Sequence, residues 1–361
     1  MLRLTTAGES HGPALVAIVE GLPAGLTVEK AAIDADLRRR QQGYGRSPRQ
    51  QIEQDEVEVL AGLRHGRTLG TPLALVVRNR DHDNWAWGMN PWPPEGDPAG
   101  KGTKQVTLPR PGHADLAGAL KYGLADVRDA LERASARHTA VIVAAGALAK
   151  ALLGEIGLTV CGAVLTGDLE ERVDEARADR DTVGGIVEMR AQGVPPGLGS
   201  YASKEDRLDA RLAATLMGTQ AVKGVEIGEG FELAGKRGSA AHDEILRDDE
   251  RGLYRETNRA GGIEGGVSNG EEIVARAAMK PLPTLMRPLA SVDLQTGEPA
   301  EALVERSDTA AVEALAVVAE ACLAWELARA AREKFGGDAL GDFVAAHHAY
   351  LERIDWQPRT R

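Results

Sequence analysis

The chain has 361 residues, of which 43% are hydrophobic and 27% charged, so it can bury a large core. Only 4% of the residues are aromatic, and the core must therefore be mostly Ala, Val and Leu. The formal net charge of −11 argues against a protein that binds nucleic acid. The longest apolar run, residues 140–149, is too short to span a membrane, and polar residues 8–11 interrupt any signal peptide. We expect a soluble cytoplasmic protein.

Two parts of the chain show the same succession of predicted elements, followed in each case by an alanine-rich helix. We therefore predict an α/β fold: a single large β-α-β sandwich domain over residues 1–361, with an internal pseudo-twofold repeat. The halves are approximately residues 1–155 and 185–335. A coincidence of common turn residues is the alternative explanation. The predicted strand-turn, helix, strand and long helix are residues 14–26, 28–41, 57–60 and 139–155 in the first half, and 185–198, 204–217, 225–227 and 309–333 in the second.

Two long segments, residues 79–112 and 229–270, are too rich in Gly and Pro for regular structure. Loops of this length inside a compact domain are usually functional or disordered, and we expect long active-site loops here. The glycine-rich stretch 261–270 has neither the preceding strand nor the spacing of a dinucleotide fingerprint. Any nucleotide-like cofactor would therefore be held by a dispersed site. We interpret Trp85, Trp87 and Trp92 as anchors of the first loop.

Two glycine-flanked histidines are the best candidates for chemistry. His113 follows Pro111 and Gly112 at the start of a predicted helix, a position that favours anions, and it lies close to Arg110. His11 stands in the sequence Gly-Glu-Ser-His-Gly. Serine and arginine residues at 133–139 and an arginine cluster at 38–49 add positive charge to an acidic chain. Together they indicate a site for a small, multiply anionic ligand, although any single one of these arginines is better explained by a solvated helix end and loop.

In their order along the chain, these motifs resemble those of the chorismate synthase family over nearly the whole sequence. The matching segments are GESHG at 8–12, RRRQQGYGR at 38–46, RPGHADL at 110–116, RASAR at 133–137, MGTQAVKGVEIGEGF at 217–231, NRAGGIEGGVSNG at 258–270, KPLPTL at 280–285 and ERSD at 305–308.

The resemblance implies a lyase that converts 5-enolpyruvylshikimate-3-phosphate to chorismate and phosphate. This 1,4-anti elimination is the last common step of the shikimate pathway to the aromatic amino acids. It requires reduced FMN without net redox change, because transient electron donation by the flavin helps to expel phosphate. NADPH is a candidate source of the electrons that reduce the flavin. The resemblance also implies a homotetramer and no bound metal.

The resemblance further implies roles for individual residues. His113 would be the acid that serves the leaving phosphate, and His11 would face the anionic reduced flavin. Ser10 and Ser135 would position hydrogen bonds, and Asp308 would tune the proton at flavin N5. The substrate-binding arginines would be Arg40, Arg46, Arg110, Arg137 and Arg306, of which Arg40 and Arg46 are also linked to NADPH. The FMN contacts would be Arg133, Ala134, Ser135, Gln220, Ala221, Gly270, Lys280, Pro281, Leu282, Pro283, Thr284 and Arg306.

Some interpretations remain open at this point. His138 stands where many family members carry Glu, and we interpret it as the start of the helix at 139–155. Arg46 follows a Gly-Tyr-Gly turn, where we expect slight packing. Two other functions compete: a flavin-dependent oxidoreductase, which would consume NADPH at each turnover, and a non-catalytic binder of phosphorylated metabolites, for which both histidines would be dispensable.

Overall fold

Two antiparallel four-stranded sheets form the outer layers of the protein. The computed structural model describes residues 1–47, 54–249, 252–305 and 307–356. The first sheet has the strand order β1-β2-β6-β3 and the second β7-β8-β14-β9, so each half repeats the same order. The strands are β1 Arg3–Ala7, β2 Ala14–Glu20, β3 Val57–Ala61 and β6 Leu73–Arg78 in the first sheet, and β7 Thr159–Val164, β8 Gly185–Gln192, β9 Val222–Ile227 and β14 Ile273–Met279 in the second.

Alternation along the strands decides which face is buried. In β2, Leu15, Ala17 and Val19 are at most 1% exposed, while the residues between them are only partly buried. In β8, Val187 and Met189 are likewise fully buried. Since successive side chains in a strand point to opposite faces, each sheet turns one apolar face toward the middle of the molecule. The sheet topology confirms the α/β sandwich and its repeated halves.

Long helices fill the space between the sheets. One core cluster contains side chains from both sheets and from these helices. The longest two cross so closely that a Cβ at Gly146 would overlap Ala321, so only glycine fits there. A single shared core supports one domain over the chain, which stays a prediction. The interlayer helices are α1 Lys30–Gln41, α4 Thr139–Gly154, α6 Leu208–Met217 and α8 Val312–Phe335.

The remaining elements are short or lie on the periphery. They are the helices α2 Asp115–Tyr122, α3 Arg128–Ala134, α5 Leu169–Ala178, α7 Gly238–Ala241 and α9 Leu340–Arg353, and the strands β4 Leu63–Arg64, β5 Arg67–Thr68, β10 Ile245–Asp248, β11 Gly252–Arg255, β12 Ile263–Glu264, β13 Val267–Ser268, β15 Ala290–Val292 and β16 Pro299–Glu301.

The predicted elements are present, with shifted ends. The helix predicted at 204–217 begins only at Leu208, because the chain is still in turns and bends before it. The strand predicted at 225–227 starts three residues earlier, at Val222. Segment Arg128–Gly154 is long and apolar enough to span a membrane by length and composition alone. In this protein 67% of its most apolar window is buried inside the fold, as in a core helix.

The two long loops differ in structure. The first contains a 3-10 helix, Arg80–Trp85, and then runs irregularly to the start of α2. The second is not irregular as predicted, because it forms short helices and the hairpins β10-β11 and β12-β13. Among the described residues of the two loops, only residues of the loop at 79–112 line the cavity at the start of α4 and α8.

Candidate active site

A cavity of about 420 Å³ lies at the beginning of the two longest helices. Arg137 and Thr139 line it at the start of α4, and Ala311 and Leu315 line it at the start of α8. The first backbone N–H groups of a helix have no partner inside the helix, and the helix dipole is positive at this end. The repeated fold therefore brings two helix N-termini to one cavity, where both favour an anion.

The wall of this cavity has a cationic part and an apolar part. Guanidinium groups and one ammonium group supply the charge, and aliphatic side chains supply the apolar surface. The cationic side chains are Arg40, Arg46, Arg110, Arg137 and Lys280. The apolar ones are Leu131, Ala134, Met279, Leu282, Pro283, Ala311, Ala314, Leu315 and Val318. Such a wall suits a ligand with a flat apolar body and several negative charges.

His113 stands at this cavity in contact with a buried carboxylate. Its Nδ1 lies 2.5 Å from Oδ1 of Asp115, which is 0% exposed. Arg110 binds the same carboxylate through its backbone N–H and through Nε, at 3.0 and 2.8 Å. Burial alone would raise the pKa of Asp115, but the hydrogen bonds from His113 and Arg110 outweigh it and hold that pKa well below its usual range. Asp115 is therefore a carboxylate at neutral pH.

His11 is held by a different carboxylate and by an aromatic ring. Glu132 accepts from the His11 backbone N–H at 2.9 Å and lies 2.9 Å from His11 Nδ1. Burial opposes the charge on Glu132, yet the hydrogen bonds from His11 lower the pKa of this carboxyl. The indole of Trp85 stacks on the imidazole with ring centres 3.9 Å apart. Arg128 covers the other side of the cluster, 5.0 Å from the centre of the indole ring.

Asp55 joins two of the predicted substrate arginines. Its carboxylate is 2.7 Å from Arg137 Nη1 and 3.3 Å from Arg40 Nη1. Arg40 also donates to the Thr139 hydroxyl and to two backbone carbonyls just before α4. Burial lowers the pKa of Arg40 to about 9, so the group remains cationic at neutral pH. These bonds occupy most of its five N–H groups, and its main effect is to hold the start of α4 in place.

Arg46 and Asp308 form an ion pair in the wall of the same cavity. Arg46 Nη1 lies 3.0 Å from Asp308 Oδ2, and the Ser47 backbone N–H donates to Asp308 Oδ1 at 2.6 Å. The expected slight packing of Arg46 is wrong, because this ion pair leaves its side chain only 11% exposed. The two predicted serines also meet, since the Ser135 hydroxyl donates to the Ser10 hydroxyl at 3.2 Å.

Several buried polar atoms around the cavity lack a partner within the described residues. They include Arg46 Nε and Gln220 Oε1, and both side chains line the wall. An unsatisfied buried polar group is costly, and one that lines a cavity is available to bond a ligand or water there. Lys280 is also partly buried there, and this burial lowers the pKa of its ammonium. The orphaned donors and acceptors, the cations and the apolar wall fit a flavin together with an anionic substrate.

Comparisons with known proteins agree with this geometry. The model of the chorismate synthase family matches residues 2–168 and 165–331. The chain belongs to the chorismate synthase family. A chorismate synthase from Desulforudis audaxviator strain MP104C is 54% identical over 98% of both chains. One from Symbiobacterium thermophilum is 51% identical over 98% of this chain and 99% of its own. A crystal structure of chorismate synthase superposes with a TM-score of 0.77 at 35% identity, covering 98% of each chain.

Membership of the chorismate synthase family makes this chain an enzyme, a lyase, and most of its predicted site residues surround one cavity. Ser10, His11, His113, Ser135 and Asp308 all line it. So do the predicted substrate-binding arginines Arg40, Arg46, Arg110 and Arg137, whereas Arg306 lies outside the described residues. The predicted flavin contacts that line it are Ala134, Ser135, Gln220, Ala221, Lys280, Leu282, Pro283 and Thr284.

Three of the predicted flavin contacts do not line this cavity. Arg133 points away from it and donates to the carbonyls of Gly8 and Thr6 in and next to β1. Pro281 is exposed beside Lys280. Gly270 lines a second cavity of about 270 Å³, where the ring of Trp356 lies against it. Their flavin contacts remain predictions.

Sequence reasoning missed the carboxylates that hold the candidate histidines and arginines. The sequence could have indicated Asp115, because it lies two residues after His113 in the same motif. Glu132 and Asp55 gave no local signal, because Glu132 is 121 residues away from His11 and Asp55 is 82 residues from Arg137. The sequence indicates that Trp85 anchors its loop, and Trp85 is indeed only 8% exposed, but no sequence signal predicts its stacking on His11.

Proposed function

We propose that this chain converts 5-enolpyruvylshikimate-3-phosphate to chorismate and phosphate. In this 1,4-anti elimination the bond from an allylic carbon to the phosphate oxygen breaks and carbon 6 loses a hydrogen. A second ring double bond forms, so substrate and product differ by no net oxidation. The observation that carries the proposal is one cavity that combines two helix N-termini, several cationic side chains and His113.

The charges of the cavity match the charges of this substrate. The substrate carries one phosphate and two carboxylates, and guanidinium groups bind both kinds of anion with paired hydrogen bonds. Arg110 contacts His113, and Arg46 pairs with Asp308. Arg110 would hold an anion next to the imidazole that delivers a proton to the leaving oxygen. Arg46 would hold a second anion beside Asp308, and its orphaned Nε would then find a partner.

The same cavity has the residues to hold reduced FMN. Its aliphatic wall would cover the isoalloxazine rings, and Gln220 and Lys280 would contact polar edges of the cofactor. When bound, reduced FMN supplies transient electron density that helps phosphate to leave. His11 would stabilise the anionic flavin, Asp308 would tune the proton at its N5, and the Ser10–Ser135 pair would position hydrogen bonds. NADPH, bound near Arg40 and Arg46, is the proposed source of electrons.

The cellular location and the oligomeric state of the enzyme are also part of the proposal. We place it in the cytoplasm as a homotetramer that acts on a small molecule and binds neither nucleic acid nor membrane. Exposed apolar side chains on both sheets support association, since Leu60 on β3 is 65% exposed and Ile186 on β8 is 43% exposed. Sedimentation analysis of the purified chain would measure the subunit number.

An anaerobic assay tests the reaction. The protein, reduced FMN and the phosphorylated substrate should release phosphate and chorismate in equal amounts. With NADPH present, its consumption should stop once the flavin is reduced. Oxidation of one NADPH for each turnover would instead favour the flavin-dependent oxidoreductase. Substrate binding without phosphate release, unchanged in His113→Ala, would favour the non-catalytic binder.

A further inference from the structure

We propose that Asp115 is a positioning residue, which fixes the proton of His113 on Nδ1 and connects this imidazole to the anion-binding Arg110. The inference rests on the proposed function and deepens it. It concerns which nitrogen of His113 can deliver a proton to the departing phosphate. Asp115 itself does not line the cavity, so any effect on the reaction must pass through its two neighbours.

Hydrogen bonds to both carboxylate oxygens fix the position of the Asp115 side chain. Its Oδ1 is 2.5 Å from His113 Nδ1 and 3.2 Å from Arg110 Nη2. Its Oδ2 accepts from the Arg110 backbone N–H and from Nε. Arg110 is fixed in turn by its Nη1, which donates to the Thr284 hydroxyl at 2.9 Å. The carboxylate, the imidazole and the guanidinium therefore form one rigid, buried cluster.

Donor and acceptor chemistry decides where the proton of His113 lies. A carboxylate only accepts and a guanidinium only donates. His113 Nδ1 is within reach of both, since Arg110 Nη2 is 3.2 Å away, but the contact with Asp115 is much shorter. Nδ1 must therefore carry a hydrogen and donate it to Asp115. Nε2 is then the nitrogen that serves the cavity, and it can act as an acid only when the ring is doubly protonated.

Four charged groups among the described residues contact His113 or line the wall beside it. Asp115 and Arg110 both contact its Nδ1, and Lys280 and Glu305 also line this wall. An anion held by Arg110 would lie beside the imidazole ring. The shared carboxylate thus connects the side chain that would bind the anion to the side chain that would donate the proton.

The tautomer can be observed directly in the folded protein. Nitrogen NMR of the histidine-labelled, FMN-loaded enzyme should show His113 protonated on Nδ1, with the resonance assigned by its loss in His113→Ala. In Asp115→Asn, the amide oxygen satisfies Arg110 and its NH2 faces His113, so the proton should move to Nε2. Glu305→Gln is the matched control, because Glu305 lies 3.6 Å from Arg110 and has no bond to His113. It should leave the tautomer unchanged.

A double-mutant cycle tests whether Asp115 acts through His113. Asp115→Asn should lower kcat by about 10²-fold or more, within the range of general acid catalysis, with a smaller change in KM. In a His113→Ala background the same substitution should lower kcat by less than about threefold, because the group it positions is gone. Equal losses in both backgrounds would overturn the proposal, as would a His113 resonance protonated only on Nε2 in the parent enzyme. The NMR result holds even if the parent protein lacks the proposed lyase activity, so the two failures are distinguishable.

Discussion

The two histidines of the cavity are both bound through Nδ1 to a buried carboxylate, but their surroundings differ. His11 is clamped between Glu132 and the face of Trp85, and Glu132 also accepts from the His11 backbone. His113 shares its carboxylate with Arg110, which lines the cavity. Arg110 and His113 are therefore connected through Asp115, whereas among the described residues no cation that lines the cavity bonds to the carboxylate of Glu132. We infer that His113 is the histidine coupled to a ligand at Arg110 and that His11 keeps a fixed position.

Replacing His113 tests this comparison with the largest expected effect. His113→Ala should lower kcat by about 10²–10⁴-fold, the usual contribution of a general acid. Flavin affinity should change little, since the resemblance assigns the flavin contact to His11. Steady-state kinetics and an FMN titration measure the two quantities. His11→Ala is the matched variant and should show the reverse pattern, with the larger loss in flavin affinity. Near-normal turnover of His113→Ala across pH 6–9 would contradict the acid role.

Arg46 tests the part of the cavity at the Arg46–Asp308 ion pair, outside the two histidine–carboxylate clusters. Arg46→Ala should weaken substrate binding by about 1.5–3 kcal/mol, the value of one hydrogen bond to a charged group. It should also lower the melting temperature, because Asp308 loses the partner 3.0 Å away. Substrate titration and thermal unfolding measure these effects separately. A lower melting temperature with unchanged substrate affinity would show that Arg46 only holds Asp308.

Some features of the fold and of the site can be predicted from the sequence alone. The period-2 pattern of residues 14–20 and 185–192 predicts strands correctly, because one face of each sheet is buried. Glycine-flanked histidines and clustered arginines predict the cavity, because motifs that hold a ligand carry local signatures of turn and charge. The resemblance to chorismate synthase adds the reaction and is confirmed at the level of the family.

The partner of His11 depends on the tertiary fold and could not be predicted in the same way. His11 lies before β2 and Glu132 lies in α3, and only the packing of that helix beside the first sheet brings them together. Asp55 and Arg137 are also far apart in the sequence, and only the tertiary fold brings them together. The flavin contact predicted for Gly270 stays a prediction, since this residue lies against Trp356 in the second cavity.

Glu132→Gln tests the clamp on His11. The amide keeps the size of the side chain but loses the charge that accepts from His11 and Arg128. We expect a loss of about 1–3 kcal/mol in the free energy of unfolding at neutral pH. Chemical denaturation measures it, and Glu58→Gln on the exposed side of β3 is a control expected to stay near the parent value.

Glu132→Gln also tests how the contribution of Glu132 to the unfolding free energy depends on pH. The pKa of Glu132 is lowered in the folded protein from its ordinary value of 4.5. A carboxyl with a depressed folded pKa stabilises the fold above its unfolded pKa, and this contribution is lost as the pH falls through the folded value. The difference in unfolding free energy between the parent and Glu132→Gln should therefore be constant above about pH 5 and narrow at lower pH. If the difference in unfolding free energy between the parent and Glu132→Gln stays the same down to about pH 3, the charge of Glu132 does not stabilise its contacts with His11.

The smallest expected effect concerns the aromatic side of the clamp. Trp85→Phe keeps a ring on His11 but removes the indole N–H that donates to Asp81 at 3.0 Å. It also weakens the cation–π contact with Arg128, for which an indole is the better partner. We expect a loss of about 0.5–1.5 kcal/mol and faster protease cleavage within residues 79–112, since Trp85 is the buried anchor of that loop. Trp92→Phe is the control, because Trp92 is 76% exposed in the same loop. Equal cleavage rates for the two variants would show that the stacked indole does not hold the loop against His11.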